Sequence, residues 1–238
     1  MQLFKTLKLT PGIIAFVGAG GKTTTILTLA QELLQQGKRI IITTTTHIFP
    51  PDEAQYGLFF TPDSALLPKF LQTHRIAVVA NSLNTQGKLT GITSEQIDLL
   101  AQLADYVLVE ADGSKRLPCK VPAAHEPALP QNTTQIVGIL GLSALEQRFS
   151  DGCFRAELAC KHLHTLPNDT ILPQHLAAIA SASWGLAKNI GNRPFGILLN
   201  QRDCCHPQIT TEIAQQIQQQ GVFHVVSAAL NDQEWNEV

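Results

Sequence analysis

The fold of this chain is predicted from residues 13–25, Ile13-Ile14-Ala15-Phe16-Val17-Gly18-Ala19-Gly20-Gly21-Lys22-Thr23-Thr24-Thr25. An apolar run, which predicts a buried strand, stops at a glycine cluster, and a sequence with helical period follows. A strand, a tight glycine loop and a helix are the context of a phosphate-binding loop, because backbone N–H groups and the positive end of the helix dipole converge there. The candidate phosphate-binding residues are Gly18, Ala19, Gly20, Gly21, Lys22, Thr23 and Thr24.

The side chains at the end of this loop have separate expected tasks. The ammonium of Lys22 can reach terminal phosphates, and the hydroxyl of Thr23 can hold Mg²⁺. The common pattern G-x-x-x-x-G-K-[ST] has its first glycine at position 16, where this chain has Phe16. The loop instead fits the shorter G-x-x-G-K-T-T form, as seen in Mur-type ligases. The alternative is a glycine-rich turn that binds no ligand.

The composition narrows the class of protein. Of 238 residues, 44% are hydrophobic and 15% are charged, which favours a sizeable folded core over a disordered chain. A net charge of −2 without runs of like charge argues against a nucleic-acid-binding or membrane-binding surface. No apolar stretch approaches the ~20 residues of a membrane span and no secretory signal is evident, so we expect a cytoplasmic protein. The five irregularly spaced cysteines are typical of reduced thiols.

A second strand is expected to bring polar groups close to the glycine loop. Ile40 to Thr44 is rich in β-branched residues and predicts a buried strand, which continues into Thr45, Thr46 and His47. In a parallel crossover unit, the end of this strand lies at the same edge of the sheet as the loop. These last three residues are therefore candidates for substrate binding or switching. The alternative is a β-prone threonine run that only ends a strand.

An acidic strand end is the second half of the predicted site. The apolar segment Tyr106 to Val109 predicts a buried strand, and Glu110 and Asp112 follow it. A carboxylate at such a position binds Mg²⁺ or orients an attacking water. Glu110 and Asp112 are thus candidate metal ligands and catalytic residues, with an ordinary strand-end turn as the alternative.

A cationic, proline-containing segment follows the acidic strand end. Lys115, Arg116 and Lys120 could bind an anionic substrate or phosphate. His125 and Glu126 form a neighbouring His-Glu pair in the same segment. The alternative is a solvated loop with ordinary charges.

The candidate element for binding the nucleotide base is Asn200-Gln201-Arg202-Asp203, which follows a predicted strand. It resembles the N-K-x-D element of many GTPases, in which the aspartate accepts hydrogen bonds from guanine. Adenine lacks that pair of donors, so a buried aspartate would lose its partners. Gln201 stands where the pattern has lysine.

A second base-binding signal lies further along the chain. The strand predicted at Val222 to Val226 is expected to end in a loop that contains Ser227 and Ala228. This loop resembles the S-A-x loop whose backbone N–H contacts guanine O6. The two signals together favour GTP over ATP.

The order of predicted elements indicates an α/β fold that is P-loop NTPase-like, with a mainly parallel sheet and helices on both faces. We expect a single domain over residues 1–238, with small insertions at about 48–75 and 144–190. Within the second insertion, Ser150 to Leu163 predicts one continuous helix.

The chain resembles the YqeC family in four motifs taken together, G-A-G-G-K-T-T-T, T-T-T-T-H-I, V-E-A-D-G-S-K-R-L-P-C-K-V-P-A-A-H-E-P and N-x-x-D. Members are described as selenium cofactor biosynthesis proteins, accessory to selenium-dependent molybdenum hydroxylases. The resemblance implies phosphate and Mg²⁺ roles for Lys22 and Thr23. It implies the acidic role for Glu110 and Asp112. It also implies a family-specific loop lined by Lys115, Lys120, His125 and Glu126.

The expected function is Mg²⁺-dependent binding and hydrolysis of GTP or ATP, as an accessory step in selenium or molybdenum cofactor maturation of a hydroxylase. Lys22 and either Glu110 or Asp112 would be catalytic. The expected partners are the nucleotide and a selenium- or molybdenum-cofactor enzyme or its other accessory proteins. One alternative is a kinase, nucleotidyltransferase or ligase that acts on an anionic acceptor. Another is a module that binds nucleotide only as a structural ligand.

Overall fold

The computed structural model describes residues 2–51, 56–61 and 64–238. Its strands are β1 (Gly12–Gly18), β2 (Ile40–Thr44), β3 (His47–Ile48), β4 (Gly57–Phe59), β5 (Ile76–Val79), β6 (Leu89–Thr90), β7 (Tyr106–Glu110), β8 (Cys119–Lys120), β9 (Gln135–Gly141), β10 (Cys153–Phe154), β11 (Phe195–Asn200), β12 (Val225–Ala229) and β13 (Glu234–Glu237). Its α-helices are α1 (Leu3–Thr6), α2 (Lys22–Gln35), α3 (Leu66–His74), α4 (Ser94–Leu100), α5 (Phe149–Gly152), α6 (Ala156–Leu163), α7 (Pro173–Ser181) and α8 (Pro207–Gln219). Short 3₁₀ helices lie at Leu142–Ala144, Arg202–Cys204 and Leu230–Asp232.

A nine-stranded sheet is the centre of the fold, with the strand order β13-β12-β11-β9-β1-β7-β2-β5-β4. β13 runs antiparallel to β12, whereas the other neighbours in this sheet pair in parallel. The central strands are buried on both faces, which explains their nearly continuous apolar sequences. The predicted mainly parallel sheet is therefore confirmed.

Helices cover both faces of this sheet. Ile14 and Phe16 of β1 pack in one cluster with Leu29 of α2. Ile13 faces the opposite way, because side chains alternate along a strand, and it packs in a cluster with Leu67 of α3. On this second face, α8 covers β11 and β12 through a further apolar cluster. The α/β class and the two helical layers are as predicted.

The register of the strands brings the predicted site elements to one edge. Phe16 of β1 lies opposite Glu110 of β7, and Thr44 of β2 lies opposite Glu110 on its other side. The backbone N–H of Thr45 donates to the carbonyl of Glu110 at 3.2 Å. The glycine loop after β1, the acidic end of β7 and the threonine run after β2 are thus neighbours, as predicted from the crossover rule.

The continuous helix predicted over Ser150 to Leu163 is wrong. α5 and α6 are separated by β10, which pairs in parallel with β8 so that Cys153 lies opposite Cys119. Between β10 and α6, Arg155 adopts a left-handed φ of 66°. Pairing with a distant strand overrides the local helical pattern here.

The loop predicted to begin at Ser227 is also wrong. β12 runs through Ser227 and Ala228, with β11 on one side and β13 on the other. In this ladder Ser227 lies opposite Leu199 and Asn236. The apolar residue Ala228 continues the buried strand and packs in the core.

The segments predicted as insertions contribute to the sheet and to its second face. The first contains β4, which pairs with β5 near the sheet edge, and α3; its residues 52–55 and 62–63 lie outside the described residues. The second contains α7, which contacts β9 and α8. The single-domain organisation stays a prediction.

We predict that Gly20→Ala destabilises the fold much more than Gly87→Ala. Both glycines have a left-handed φ, +85° and +71° respectively. A Cβ at Gly20 would lie 2.3 Å from the backbone nitrogen of Gly141, whereas a Cβ at Gly87 would meet no atom within 4 Å. Backbone strain alone costs about 1 kcal/mol. Overpacking adds about 2 kcal/mol at Gly20.

Urea unfolding followed by circular dichroism measures both free energies of unfolding. Gly87→Ala is the matched control, because it carries the backbone strain without the collision. Equal losses in the two variants would show that the close approach of Gly20 to Gly141 does not constrain the loop.

Candidate functional site

The glycine loop consists of Gly18, Ala19, Gly20 and Gly21; it begins at the last residue of β1 and ends just before α2. Its three glycines have φ values of +99°, +85° and +124°, a region that residues with a Cβ avoid. The N–H of Ala19 donates to the carbonyl of Ile139 at 2.8 Å, which fixes the loop against β9. The loop therefore needs glycine for its conformation and leads directly into the first turn of α2.

Lys22 is the first residue of α2, and its side chain is almost fully buried. Its Nζ donates to the carbonyl oxygen of Gly18 at 2.5 Å. The same Nζ lies 3.1 Å from Oδ1 of Asp112 and 3.8 Å from Oε1 of Glu110. The ammonium is thus held at the mouth of the loop between two carboxylates.

Asp112 connects the glycine loop to the segment after β7. Its carboxylate accepts a hydrogen bond from the N–H of Gly18, with N–O distances of 2.9 and 3.2 Å. Its Oδ2 also lies 3.0 Å from Nζ of Lys120, so the carboxylate contacts two cations and one backbone donor. These contacts compensate for the burial of a charge that is 1% exposed.

Glu110 and Thr23 form the second polar pair of the site. The hydroxyl of Thr23 donates to Oε2 of Glu110 at 2.9 Å. Burial raises the pKa of Glu110, while Lys22 and the Thr23 hydrogen bond act in the opposite direction. A hydroxyl beside a carboxylate supplies the oxygen ligands that Mg²⁺ prefers.

The charged contacts continue away from the loop through Lys120, Glu126 and Arg155. Nζ of the fully buried Lys120 donates to Oε2 of Glu126 at 2.8 Å and to the carbonyl of Gly113 at 2.7 Å. Arg155 donates two hydrogen bonds to the carboxylate of Glu126, at 2.5 and 3.1 Å. Five side chains of alternating charge are therefore joined in sequence. We call them the ion-pair chain, Lys22–Asp112–Lys120–Glu126–Arg155.

A cleft of about 610 Å³ opens at the carboxyl ends of the strands. The residues expected from the sequence that line it are Gly20, Gly21, Lys22, Thr23, Thr24, Thr46, His47, Glu110, Lys115, Arg116 and Glu126. Apart from the base-binding candidates described below, those that are not part of its lining are Gly18, Ala19, Thr45, Asp112, Lys120 and His125. Of these, His125 is exposed, Thr45 donates its hydroxyl hydrogen to the carbonyl of Ala128, and Asp112 and Lys120 are buried.

Several cleft residues were missed by the sequence reasoning, namely Phe49, Lys88, Phe154 and Arg155. Arg155 lies 29 positions after its partner Glu126 and inside a segment with a helical pattern, so no local signal marks it. Lys88 belongs to a polar segment that predicts a surface loop. The proximity of Phe49 to the threonine run was the one available signal for that residue.

Of the two predicted base-binding elements, Gln201 lines the glycine-loop cleft, whereas Asn200, Asp203, Ser227 and Ala228 do not. Asn200 is buried, and its Nδ2 donates to the carbonyl of Gly20 at 2.8 Å, so it supports the loop. Asp203 and Ser227 line a separate cleft of about 530 Å³, whose lining contains neither Asn200 nor Ala228. Gln201 accepts a hydrogen bond from the Ser143 hydroxyl at 2.7 Å.

Two features are absent from the described part of the chain. No group of three or more His, Cys, Asp or Glu side chains there could hold a metal ion. No helix in the same ranges is long and apolar enough to span a membrane.

Taken together, these features define an α/β protein with a mainly parallel sheet and a charged cleft at the carboxyl ends of its strands. The family described as "YqeC protein" matches residues 14–157, more than half of the chain. An Escherichia coli (strain K12) protein named "Uncharacterized protein YqeC" is 34% identical over 218 residues, which cover 89% of this chain and 85% of that protein. The chain belongs to the YqeC family. The matched segment includes the whole ion-pair chain but neither Asn200 nor Asp203.

We predict that Lys120→Met lowers the free energy of unfolding by about 3 kcal/mol, because it removes a buried cation that contacts two carboxylates. Lys8→Met is the matched control, since Lys8 forms an exposed ion pair with Glu237 and should lose less than about 1 kcal/mol. Urea unfolding at neutral pH measures both. Equal losses would contradict a structural role for Lys120.

We also predict a stability contribution from Glu126 that depends on pH. Burial by itself raises the pKa of Glu126, but hydrogen bonds from Arg155 and Lys120 outweigh it and lower the pKa from 4.5 to about 2. A lowered pKa stabilises the fold fully above pH 4.5, and this contribution is lost as the pH falls towards 2.

The measurement is the difference in free energy of unfolding between the wild type and Glu126→Gln, followed from pH 6 to pH 2.5. The difference should be constant above pH 4.5 and should shrink below it. Glu157→Gln on α6 is the control, because Glu157 is exposed. Its substitution should leave the fall in the free energy of unfolding at low pH unchanged. A difference that does not vary with pH would contradict the prediction.

Proposed function

We propose that this protein binds a nucleoside triphosphate with Mg²⁺ at the glycine loop and hydrolyses it, and that its fold is P-loop NTPase-like. The observation that carries the proposal is the pairing of the Thr23 hydroxyl with the Glu110 carboxylate at 2.9 Å, beside Lys22 at the mouth of the loop. A phosphate-binding loop needs these three functions together, which are a cation, a hydroxyl and an acid.

The phosphates are expected at the loop and at the first turn of α2. The glycines allow backbone N–H groups to approach an anion, and the helix contributes its positive end. Lys22 contacts the Gly18 carbonyl and Asp112, and both contacts can be exchanged for phosphate oxygens. The acidic strand β7 is the direct neighbour of β1, the strand that precedes the loop.

Mg²⁺ is expected between Thr23 and Glu110. In nucleotide sites, this ion is held by one or two protein oxygen ligands, by phosphate oxygens and by water, so a cage of three acidic side chains is not needed. When bound, the ion would neutralise charge on the phosphates during transfer. Asp112 was the other candidate ligand, but its carboxylate contacts Gly18, Lys22 and Lys120. We therefore assign it the positioning of the loop and of Lys22.

The proposal includes either GTP or ATP. The N-x-x-D signal favours GTP, yet Asn200 supports the glycine loop and Asp203 lines the other cleft. Family membership supports the wider role, in which hydrolysis assists the maturation of a selenium- or molybdenum-containing cofactor of a hydroxylase. The partner would be that enzyme or another of its accessory proteins.

A second candidate function is transfer of a phosphoryl or nucleotidyl group to a small anionic acceptor, as in a kinase, nucleotidyltransferase or ligase. The observation that favours it is the presence of further cations, Lys115 and Arg116, in the same cleft. Nucleotide turnover without any added acceptor would support hydrolysis, whereas turnover that requires a small molecule would support transfer. Tight binding without turnover would indicate that the nucleotide is only a structural ligand.

We predict that Mg²⁺ with a non-hydrolysable GTP or ATP analogue binds the wild type, and that Lys22→Ala weakens this binding at least about 30-fold, because hydrogen bonds to charged groups are worth about 2 kcal/mol. Isothermal titration calorimetry measures both dissociation constants. Glu110→Gln should reduce the Mg²⁺ dependence of binding, since it removes the charged oxygen ligand.

Lys38→Ala is the control, because Lys38 is exposed and lies beyond the opposite end of α2. Binding of GTP but not of ATP would support the guanine assignment, and equal binding or ATP alone would remove it. Absence of binding by both nucleotides in the wild type would refute the proposed function.

A further inference from the structure

A second group of cations lines the cleft in addition to Lys22. It consists of Lys88, just before β6, and Lys115 and Arg116, which follow β7. Among the ion pairs recorded for residues 2–51, 56–61 and 64–238, none includes any of these three side chains. Their charge is therefore available to an anion, whereas Lys22 and Arg155 already contact carboxylates.

Two aromatic rings in the cleft wall hold these cations in place. The guanidinium of Arg116 lies 4.7 Å from the ring centroid of Phe49, and Nζ of Lys88 lies 5.0 Å from the same centroid. Nζ of Lys115 lies 5.1 Å from the ring centroid of Phe154. Rings attract cations through their negative faces but leave the N–H donors free. Two like charges near one ring repel each other, and an anion bound near both would reduce this repulsion.

The backbone of the cationic segment is also unusual. Lys115 and Arg116 have φ values of 50° and 63°, so two consecutive residues with side chains adopt the left-handed conformation. This conformation is unfavourable for such residues and is concentrated at functional sites. The turn is held by the N–H of Leu117, which donates to the Ser114 carbonyl at 3.0 Å, and by Lys120, which donates to the Gly113 carbonyl. Its effect is to present both cations at the cleft.

We propose that Lys88, Lys115 and Arg116 form a second anion subsite, which binds the phosphate group of a small phosphorylated ligand in the same cleft as the glycine loop. Arginine offers a planar pair of donors that matches phosphate, and the lysines add point charges. The identity of the first ligand rests on the proposed function, but the subsite itself does not. A phosphorylated second ligand is the substrate class that a transfer reaction in this cleft would use.

The test uses inorganic phosphate as the probe for the subsite. Wild-type protein saturated with Mg²⁺ and a non-hydrolysable nucleotide is titrated with phosphate by calorimetry, and Lys22→Ala protein is titrated without nucleotide. Phosphate should bind in both cases. Arg116→Gln, which removes the charge of an exposed side chain, should weaken phosphate binding about tenfold or more and should affect nucleotide binding much less.

Lys161→Ala is the matched control, because Lys161 is exposed on α6 and does not line the cleft, so phosphate binding should not change. Equal weakening of phosphate and nucleotide binding by Arg116→Gln would assign the three cations to the nucleotide and overturn the inference. Phosphate binding that depends on Lys22 but not on Arg116 would overturn it as well. Phosphate binding through Arg116 in a wild type that binds no nucleotide would refute the proposed function and leave the subsite intact.

Discussion

One buried carboxylate, that of Asp112, joins the glycine loop to the charged segment that follows β7. It accepts a hydrogen bond from the Gly18 N–H and contacts Lys22 on one side and Lys120 on the other. A buried charge without partners would cost several kcal/mol. Each of these contacts must therefore be kept, and together they constrain the positions of the residues that make them. The spacing between the glycine loop and the segment that carries Lys120 is therefore set at this residue.

The central architecture could be predicted because its signals are local. Buried parallel strands require continuous apolar segments, and the segments ending near Gly18, Thr44 and Glu110 have them. Crossover handedness then places these three ends at one edge of the sheet. Lys22, Thr23 and Glu110 were recognised because their chemistry is attached to those ends, and their side chains meet in the structure.

The remaining part of the site depends on contacts between distant segments, which a local pattern does not encode. The segment that carries Arg155 has a helical pattern, but pairing of β10 with β8 interrupts the helix and turns Arg155 towards Glu126. The error at Ser227 has the same origin, because pairing with β13 continues past Ser227 as far as Ala229. In both cases hydrogen bonds to another strand outweigh local propensity.

The ion-pair chain has a consequence for any anion that enters the cleft. Lys22 and Arg155 are its two ends and line the cleft, whereas Asp112 and Lys120 lie behind the surface. If an anion replaced Asp112 as the partner of Lys22, the carboxylate of Asp112 would keep its contacts with Lys120 and the Gly18 N–H. Asp112 would therefore stay paired. The remaining ion pairs of the chain then become stronger, because ion pairs in a poorly screened interior influence one another. Occupation of the glycine loop is thus coupled through side-chain contacts to Glu126 and Arg155 in the cleft wall.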